Sequence, residues 1–199
     1  MRSDASVARP DAATVRHLLL PGWLDSDLPH WQSHWERVHG CERVQQDDWV
    51  WPRRGDWMAR LDEVLLATPH AEIGAVLIAH SLGCHLVAAW AAHSCHTARV
   101  RAALLVAPPD TDRDDMPPNL FNWRGIMRRP LPFASTVVIS GDDPFCAPAR
   151  AAGMARDWGS ATVEIGACGH INGASNLGDW PAGWALVLAL TADPPLADR

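Results

Sequence analysis

A serine, an aspartate and a histidine each follow an apolar run of this chain, and their types suit acyl-transfer chemistry. The residues are Ser81, Asp143 and His170, and the runs that precede them cover 73–79, 135–140 and 161–166. In a hydrogen-bonded series of this kind the imidazole takes the hydroxyl proton, while the carboxylate orients the imidazole and stabilises its charge. The three residues therefore predict a nucleophilic serine that forms a covalent acyl intermediate.

The residues around Ser81 are those that a strained turn between a strand and a helix requires. The segment Ala79-His80-Ser81-Leu82-Gly83 matches the G-x-S-x-G nucleophile elbow, with alanine in place of the first glycine. Alanine is still small enough for the strained turn that holds such a serine. If a helix begins here, the N–H of Leu82 points at the oxyanion that develops when the serine attacks a carbonyl carbon.

The segment Pro21-Gly22-Trp23 follows the first apolar run and supplies the other candidate groups. We expect the N–H of Trp23 to be the second oxyanion donor and its indole to lie at the mouth of the site. Gly22 would let the backbone come close to the substrate. His80, next to the serine, either contacts the substrate or is a packed, hydrogen-bonded neighbour of the nucleophile.

Each catalytic candidate also has a simpler interpretation. Ser81 could be only the N-cap of a helix, and His170 could be a buried structural histidine. Asp142 competes with Asp143 for the role of the acid. Asp143 is favoured in part because the residue before Pro144 is kept extended, whereas Asp142 could cap the turn.

Other nucleophiles and metal ligands are less well supported. Cys84 falls in the first turn after the serine, on a helix face that must pack on the sheet, so an inert buried thiol is expected. His30 and His34 form an H-x-x-x-H pair without the glutamate of zinc proteases, and the HSCH segment at 93–96 suits a solvated helix end. No metal and no cofactor are therefore expected.

Composition excludes several classes of function. The 199 residues include no lysine and no tyrosine, which excludes Schiff-base chemistry, P-loop lysines and a phenolic general acid. A net charge of −6 argues against nucleic acid as a partner, and no apolar run is long enough to span a membrane. The five scattered cysteines predict free thiols and a cytoplasmic protein.

The elements that must position these residues alternate between strands and helices. Strands are predicted at 15–20, near 42–46, and at 73–79, 100–107, 135–140 and 161–166. Helices are predicted from a cap at Ser26 or Asp27 to Gly40, and at 56–67, 82–94, 148–158 and 180–192. This alternation predicts the α/β class, with a doubly wound sheet that is mostly or wholly parallel and carries ligands beyond the strands' C-terminal ends.

The predicted domain organisation is simple. Residues 1–14 are expected to be a loose arm, 15–193 a single domain, and 194–199 a C-terminal tail. The segment 108–130 is rich in prolines and charged residues, so it is expected to run irregularly over the surface near the C-terminal edge of the sheet.

The chain resembles the small serine hydrolases of the retinoblastoma-binding-protein-9 (YdeN-like) family, a compact branch of the α/β-hydrolases. The resemblance extends from His17 to Trp184 and includes the segments LPGWLDSDLPHWQSHWE, IAHSLGCHLVAAWA, ALLVAPPD, SGDDPFCAP and GHINGASNLGDWPAG. It implies a fold without a large cap domain, a nucleophile at Ser81, an acid at the Asp143 of the DP pair and a base at the His170 of the GH pair.

The resemblance also implies activity on small esters or amides, without fixing the substrate. Acyl transfer to an alcohol or amine would use the same three residues. A different class of function is a non-catalytic protein-binding module, because the family is named after a partner that is recognised through an L-x-C-x-E motif. The nearest match, Leu82-Gly83-Cys84-His85-Leu86, lacks the glutamate. This weakens the binding-module alternative, and whether the protein has a protein partner is left open.

Overall fold

Six parallel strands form one sheet in residues 15–67 and 74–192, the part of the chain that the computed structural model describes. The strands are β1 (Arg16–Leu20), β2 (Glu42–Arg43), β3 (Ala75–His80), β4 (Val100–Val106), β5 (Ala134–Ile139) and β6 (Ala161–Glu164). Their order in the sheet is β2-β1-β3-β4-β5-β6, and every neighbouring pair is parallel. The predicted α/β class and parallel sheet are confirmed.

In the described residues, five α-helices cover the two faces of this sheet. They are α1 (Trp31–Val38), α2 (Arg54–Leu66), α3 (Leu82–His93), α4 (Pro148–Trp158) and α5 (Pro181–Thr191). One hydrophobic cluster joins the sheet to α2, α3 and α4, and a second cluster joins its other face to α1 and α5. This is the doubly wound arrangement, and the described residues contain no large cap domain.

The apolar run before Ser81 explains why its strand lies inside the sheet. All six residues of β3 are buried, with Leu77 in one hydrophobic cluster and Val76 and Ile78 in the other. A strand that is buried on both faces needs apolar residues at every position instead of an alternating pattern. The site therefore begins at the end of a strand that is held rigidly from both sides.

The start of α1 differs from the prediction. The helix begins at Trp31, and its N-cap is His30, whose Nδ1 accepts a hydrogen bond from the Gln32 N–H at 3.1 Å, so the predicted cap at Ser26 or Asp27 is wrong. Proline at 29 disfavours helical backbone at the preceding residue, and Leu28 is 74% exposed instead of facing the core. Ser26 is buried and donates to Gln32 Oε1 at 2.6 Å.

Two strands end more than one residue short of their predicted ends. β2 covers only 42–43 of the predicted 42–46, and β6 ends at Glu164, short of the predicted 166, where Gly166 has a positive φ of 77°. Residue 73 of the predicted third strand, and the predicted arm (1–14) and tail (194–199), lie outside the described residues.

The segment 108–130 is irregular, but it does not only run over the surface. It contains a short 3₁₀ helix, Pro118–Trp123, whose Leu120 and Trp123 side chains are buried in the core. The indole of Trp123 donates to the Pro52 carbonyl at 2.9 Å. Trp123 therefore anchors this segment in the core. The proline and charge content of the segment did not indicate such an anchor. In the described part of the chain, no helix has both the length and the apolar character needed to cross a bilayer.

Gly83 sets how closely α3 approaches β1. A Cβ at this position would overlap the backbone carbonyl of Leu20. We expect Gly83→Ala to lower the free energy of unfolding by about 1–3 kcal/mol, because the helix or the strand must move. Gly55→Ala is the matched control, since Gly55 lies in α2 with nothing near its Cβ position. Urea titrations of both variants test this, and equal stability of the two would contradict it.

Candidate active site

The C-terminal ends of β3, β5 and β6 bring together the three side chains singled out by the sequence. Ser81 Oγ lies 2.8 Å from His170 Nε2. His170 Nδ1 lies 2.9 and 3.0 Å from the two carboxylate oxygens of Asp143. The side chains of His170 and Asp143 are only 8% and 4% exposed, so water does not compete strongly for these bonds.

The backbone holds Ser81 in a conformation that few non-glycine residues adopt. Its φ is 54° and its ψ is −122°, between the last residue of β3 and the first residue of α3. Such a conformation costs of order 1–3 kcal/mol and persists only where the surroundings impose it. Here the Ser81 N–H donates to the Val106 carbonyl at 2.9 Å, which ties the turn to the end of β4.

Gly22 comes close to the serine from the loop after β1. A Cβ at Gly22 would lie 2.7 Å from Ser81 Cβ and 3.1 Å from Ser81 Oγ, in the space next to the hydroxyl. The backbone at Gly22 thus lies against the serine, and its approach to a substrate stays a prediction.

The two predicted oxyanion donors both line the pocket beside Ser81. Leu82 is the first residue of α3, and the N–H groups of a helix's first turn have no acceptor within their own helix. Trp23 is partly buried, and its indole N–H donates to the Val50 carbonyl at 3.1 Å, which fixes the ring at the rim. Their role as oxyanion donors stays a prediction.

Asp143, and not Asp142, reaches the imidazole. Asp142 instead accepts hydrogen bonds from Ser140 Oγ at 2.9 Å and from the Gly169 N–H at 2.7 Å. These bonds, that from the Gly169 N–H first, hold the pKa of Asp142 below its ordinary value. Asp142 thus ties the loop after β5 to the loop that carries His170.

Two residues of the site were missed by the sequence analysis. The ring of Phe145 packs edge-on against the His170 imidazole, with centroids 4.6 Å apart. Arg113 donates to the Pro144 carbonyl at 2.6 Å, so the segment after β4 is hydrogen-bonded to the loop that bears Asp143. In the sequence, the only indication that Phe145 belongs to the site was its position directly after the DP pair. Nothing in the sequence indicated Arg113, which lies 30 residues before Asp143.

The alternative candidates for a nucleophile and for metal ligands form other contacts. The Cys84 thiol is fully buried against the Val106 and Ala79 carbonyls, and burial raises its pKa far above the ordinary value, so it stays a neutral thiol. His30 caps α1, while His34 lies 3.0 Å from Asp179. Among the described residues no group of three histidines, cysteines or acids could hold a metal ion.

A cavity of about 620 Å³ opens over Ser81. That size is typical of small-molecule sites. Its apolar wall includes Trp23, Leu24, Met116, Leu120 and Phe145. The segment 108–130 therefore forms part of the wall, in place of a separate cap. The arrangement can bind an apolar group next to a hydroxyl that is hydrogen-bonded to an imidazole.

Comparison with known proteins agrees with this description. A family model described as "Serine hydrolase" matches residues 17–189. A protein of Pectobacterium atrosepticum, described as a YdeN-like hydrolase, is 27% identical with a TM-score of 0.75, covering 89% of this chain and 90% of that one. Among curated proteins, none matches this chain significantly.

Two further solved structures share the fold at lower identity. The ydeN gene product of Bacillus subtilis is 18% identical, with a TM-score of 0.70 and coverage of 90% of this chain and 100% of that one. The esterase domain of a Rhodothermus marinus protein is 17% identical, with a TM-score of 0.61 and coverage of 88% of each chain.

Proposed function

The chain belongs to the serine hydrolase family, and from this premise we propose that it cleaves small ester or amide substrates through an acyl-enzyme on Ser81. The observation that carries the proposal is the hydrogen-bonded series from Ser81 through His170 to Asp143, with distances of 2.8 and 2.9 Å. The cavity above the serine supports a small-molecule substrate.

The first half of the proposed reaction forms the acyl-enzyme. Ser81 Oγ attacks the substrate carbonyl carbon while its proton passes to His170 Nε2, and Asp143 stabilises the imidazolium. The N–H groups of Leu82 and Trp23 would bind the oxyanion. His170 then gives the proton to the leaving alcohol or amine as the bond to the carbonyl carbon breaks.

The second half releases the acid. A water molecule loses a proton to His170 and attacks the acyl carbon, and Ser81 Oγ recovers the proton as the ester bond to the enzyme breaks. An alcohol or amine in place of water would give acyl transfer by the same steps. No described feature favours a purely binding function, because the Leu82–Leu86 segment is buried in α3.

We also propose a reducing compartment such as the cytoplasm for this protein. All five cysteines are free, and the three that lie in the core, Cys41, Cys84 and Cys146, are buried without a disulfide. Free thiols persist in a reducing environment. Alkylation in denaturant immediately after cell lysis tests this, because denaturant exposes the buried thiols, and five modified cysteines are expected.

The charges on the pocket wall predict which acyl groups are accepted. The wall carries four carboxylates and one arginine: Asp25, Asp27, Asp110, Asp115 and Arg113. Arg113 is bound to both oxygens of Asp115, at 2.8 and 2.6 Å, so it is not available for a substrate carboxylate. Asp25 and Asp110 are paired with Arg43 and Arg150. Asp27 is therefore the wall carboxylate whose charge is not neutralised by an ion pair among the described residues, and a negatively charged acyl group would meet that charge.

We expect p-nitrophenyl butyrate to be cleaved with kcat/KM about 5- to 10-fold higher than a p-nitrophenyl ester of succinic acid, since like charges a few ångströms apart repel by about 1 kcal/mol even in water. Asp27 takes part in none of the ion pairs among the described residues, which join the other wall carboxylates to arginines. Asp27→Asn should therefore reduce the preference, as should high salt. Faster cleavage of the succinyl ester would contradict the predicted repulsion between the pocket wall and an acyl carboxylate. No turnover of any ester by folded protein would contradict the proposed function.

A further inference from the structure

A buried histidine that takes no part in the proposed proton transfers lies beside Ser81 and lines the same cavity. His80 is the last residue of β3 and is only 5% exposed. Its Nε2 lies 2.9 Å from the backbone carbonyl oxygen of His170. The residue that precedes the nucleophile is thus hydrogen-bonded to the main chain of the candidate base.

The protonation of this pair follows from its chemistry. A carbonyl oxygen only accepts hydrogen bonds, so His80 Nε2 carries the proton and donates it. Burial, together with the neighbouring His30 and His170, lowers the pKa of His80 well below its ordinary value. The ring therefore stays neutral, and the positive charge that forms in acyl transfer resides on His170.

The loop that carries His170 depends on such side-chain donors, because it has no regular structure between β6 and the 3₁₀ turn Gly173–Ser175. The next carbonyl, that of Ile171, accepts from the indole N–H of Trp31 at 2.8 Å. Ile171 has a positive φ of 49°, a conformation that a β-branched residue adopts only under constraint. Two aromatic donors therefore hold two consecutive carbonyls of a strained loop.

The ring of His30 limits the movement of the His80 ring. Their centroids are 4.6 Å apart with planes at 70°. His30 Nδ1 accepts from the Gln32 N–H, which leaves the proton on His30 Nε2, and this buried group has no hydrogen-bond partner in the described structure. The position of the His30 ring is thus set by the helix cap and by packing against His80.

We propose that His80 is a positioning residue, which holds the His170 imidazole at hydrogen-bond distance from Ser81 by donating from Nε2 to the His170 carbonyl. The proposal rests on the hydrolase function proposed above. Release of this carbonyl would let the loop shift, and a displacement of about 1 Å at reacting groups can cost about 100-fold in rate.

His80→Leu and His80→Gln test the proposal, because glutamine restores an N–H donor at a similar reach. With p-nitrophenyl butyrate, we expect His80→Leu to lower kcat about 10- to 100-fold with KM within about threefold of the original, and His80→Gln to recover most of the loss. A substrate-contact role would instead raise KM, and a purely structural role would not be rescued by glutamine. Either result would overturn the proposal.

His85→Leu is the matched control. His85 is also buried, lies in α3 and places its Nε2 2.7 Å from a loop carbonyl, that of Pro109, away from His170. We expect it to lower the melting temperature about as much as His80→Leu does, with a much smaller change in kcat. Equal losses of kcat in the two variants would mean that stability alone explains the effect.

An activity-independent measurement separates this proposal from the proposed function. The proton between His170 Nδ1 and Asp143 is expected to give a low-field NMR signal that is sharp in the original protein and in His80→Gln. It should broaden or vanish in His80→Leu. An unchanged signal in His80→Leu overturns the positioning role, whether or not the protein cleaves esters. If the signals change as expected but no ester is cleaved, only the hydrolase proposal is overturned.

Discussion

Ser81→Ala is expected to abolish labelling by a fluorophosphonate probe and to lower kcat for p-nitrophenyl acetate by about 10⁶-fold, the loss seen when a hydrolase loses its nucleophilic serine. The reason is that the proposed covalent bond forms at Ser81 Oγ, the hydroxyl that lies 2.8 Å from His170 Nε2. Gel fluorescence of the labelled protein and initial rates of nitrophenol release measure the two effects.

The control for this variant is Ser94→Ala at the other end of α3. Ser94 Oγ donates to Asp62 at 2.8 Å, far along the helix from the site, so labelling should persist. Circular dichroism should show that both variants are folded. Labelling that survives Ser81→Ala would mean that another residue is the nucleophile, and peptide mapping of the adduct would identify it.

Asp143→Asn is expected to lower kcat by about 10⁴-fold, as the equivalent change does in serine proteases. An amide can present its N–H₂ group to His170 Nδ1, which places the imidazole proton on Nε2. His170 could then no longer accept the proton of Ser81. Rates with p-nitrophenyl butyrate at pH 7 to 9 measure the loss.

Asp142→Asn separates the two neighbouring carboxylates. Asp142 is bonded to Ser140 and to the Gly169 N–H instead of to the imidazole. Its replacement should weaken the loop contact and reduce kcat by less than about tenfold, because asparagine Oδ1 can still accept both bonds and only the charge is lost, a difference of about 1 kcal/mol. The reverse ranking of the two variants would assign the acid to Asp142.

The fold was largely predictable from the sequence, for reasons visible in particular elements. β3 reads as a continuous apolar run because both of its faces are buried, and α4 has its predicted bounds, from Pro148 to Trp158. Proline at the first helical position and Gly159, with a φ of 67° after the last, mark those bounds. The polar residues that follow the strands were visible as candidates because parallel strands end at one edge.

The remaining features depend on contacts between distant parts of the chain. Periodicity could not reveal that Trp123 is anchored by the Pro52 carbonyl, or that Arg113 holds the loop at Pro144. The bond from His80 to the His170 carbonyl joins residues 90 positions apart. The start of α1 has a local cause: Pro29 disfavours helical backbone at Leu28, so the helix begins after Ser26 and Asp27, although residues of these types commonly cap helices.

The position of β6 has a consequence for how the protein loses activity. This strand is at the edge of the sheet, pairs only with β5, has three of its four residues exposed, and leads directly to the loop that bears the imidazole. Segments of this kind open by local fluctuation at a smaller free energy than global unfolding. Detachment of this edge strand would carry His170 away from an otherwise native sheet, so we expect activity to be lost before the protein unfolds as a whole.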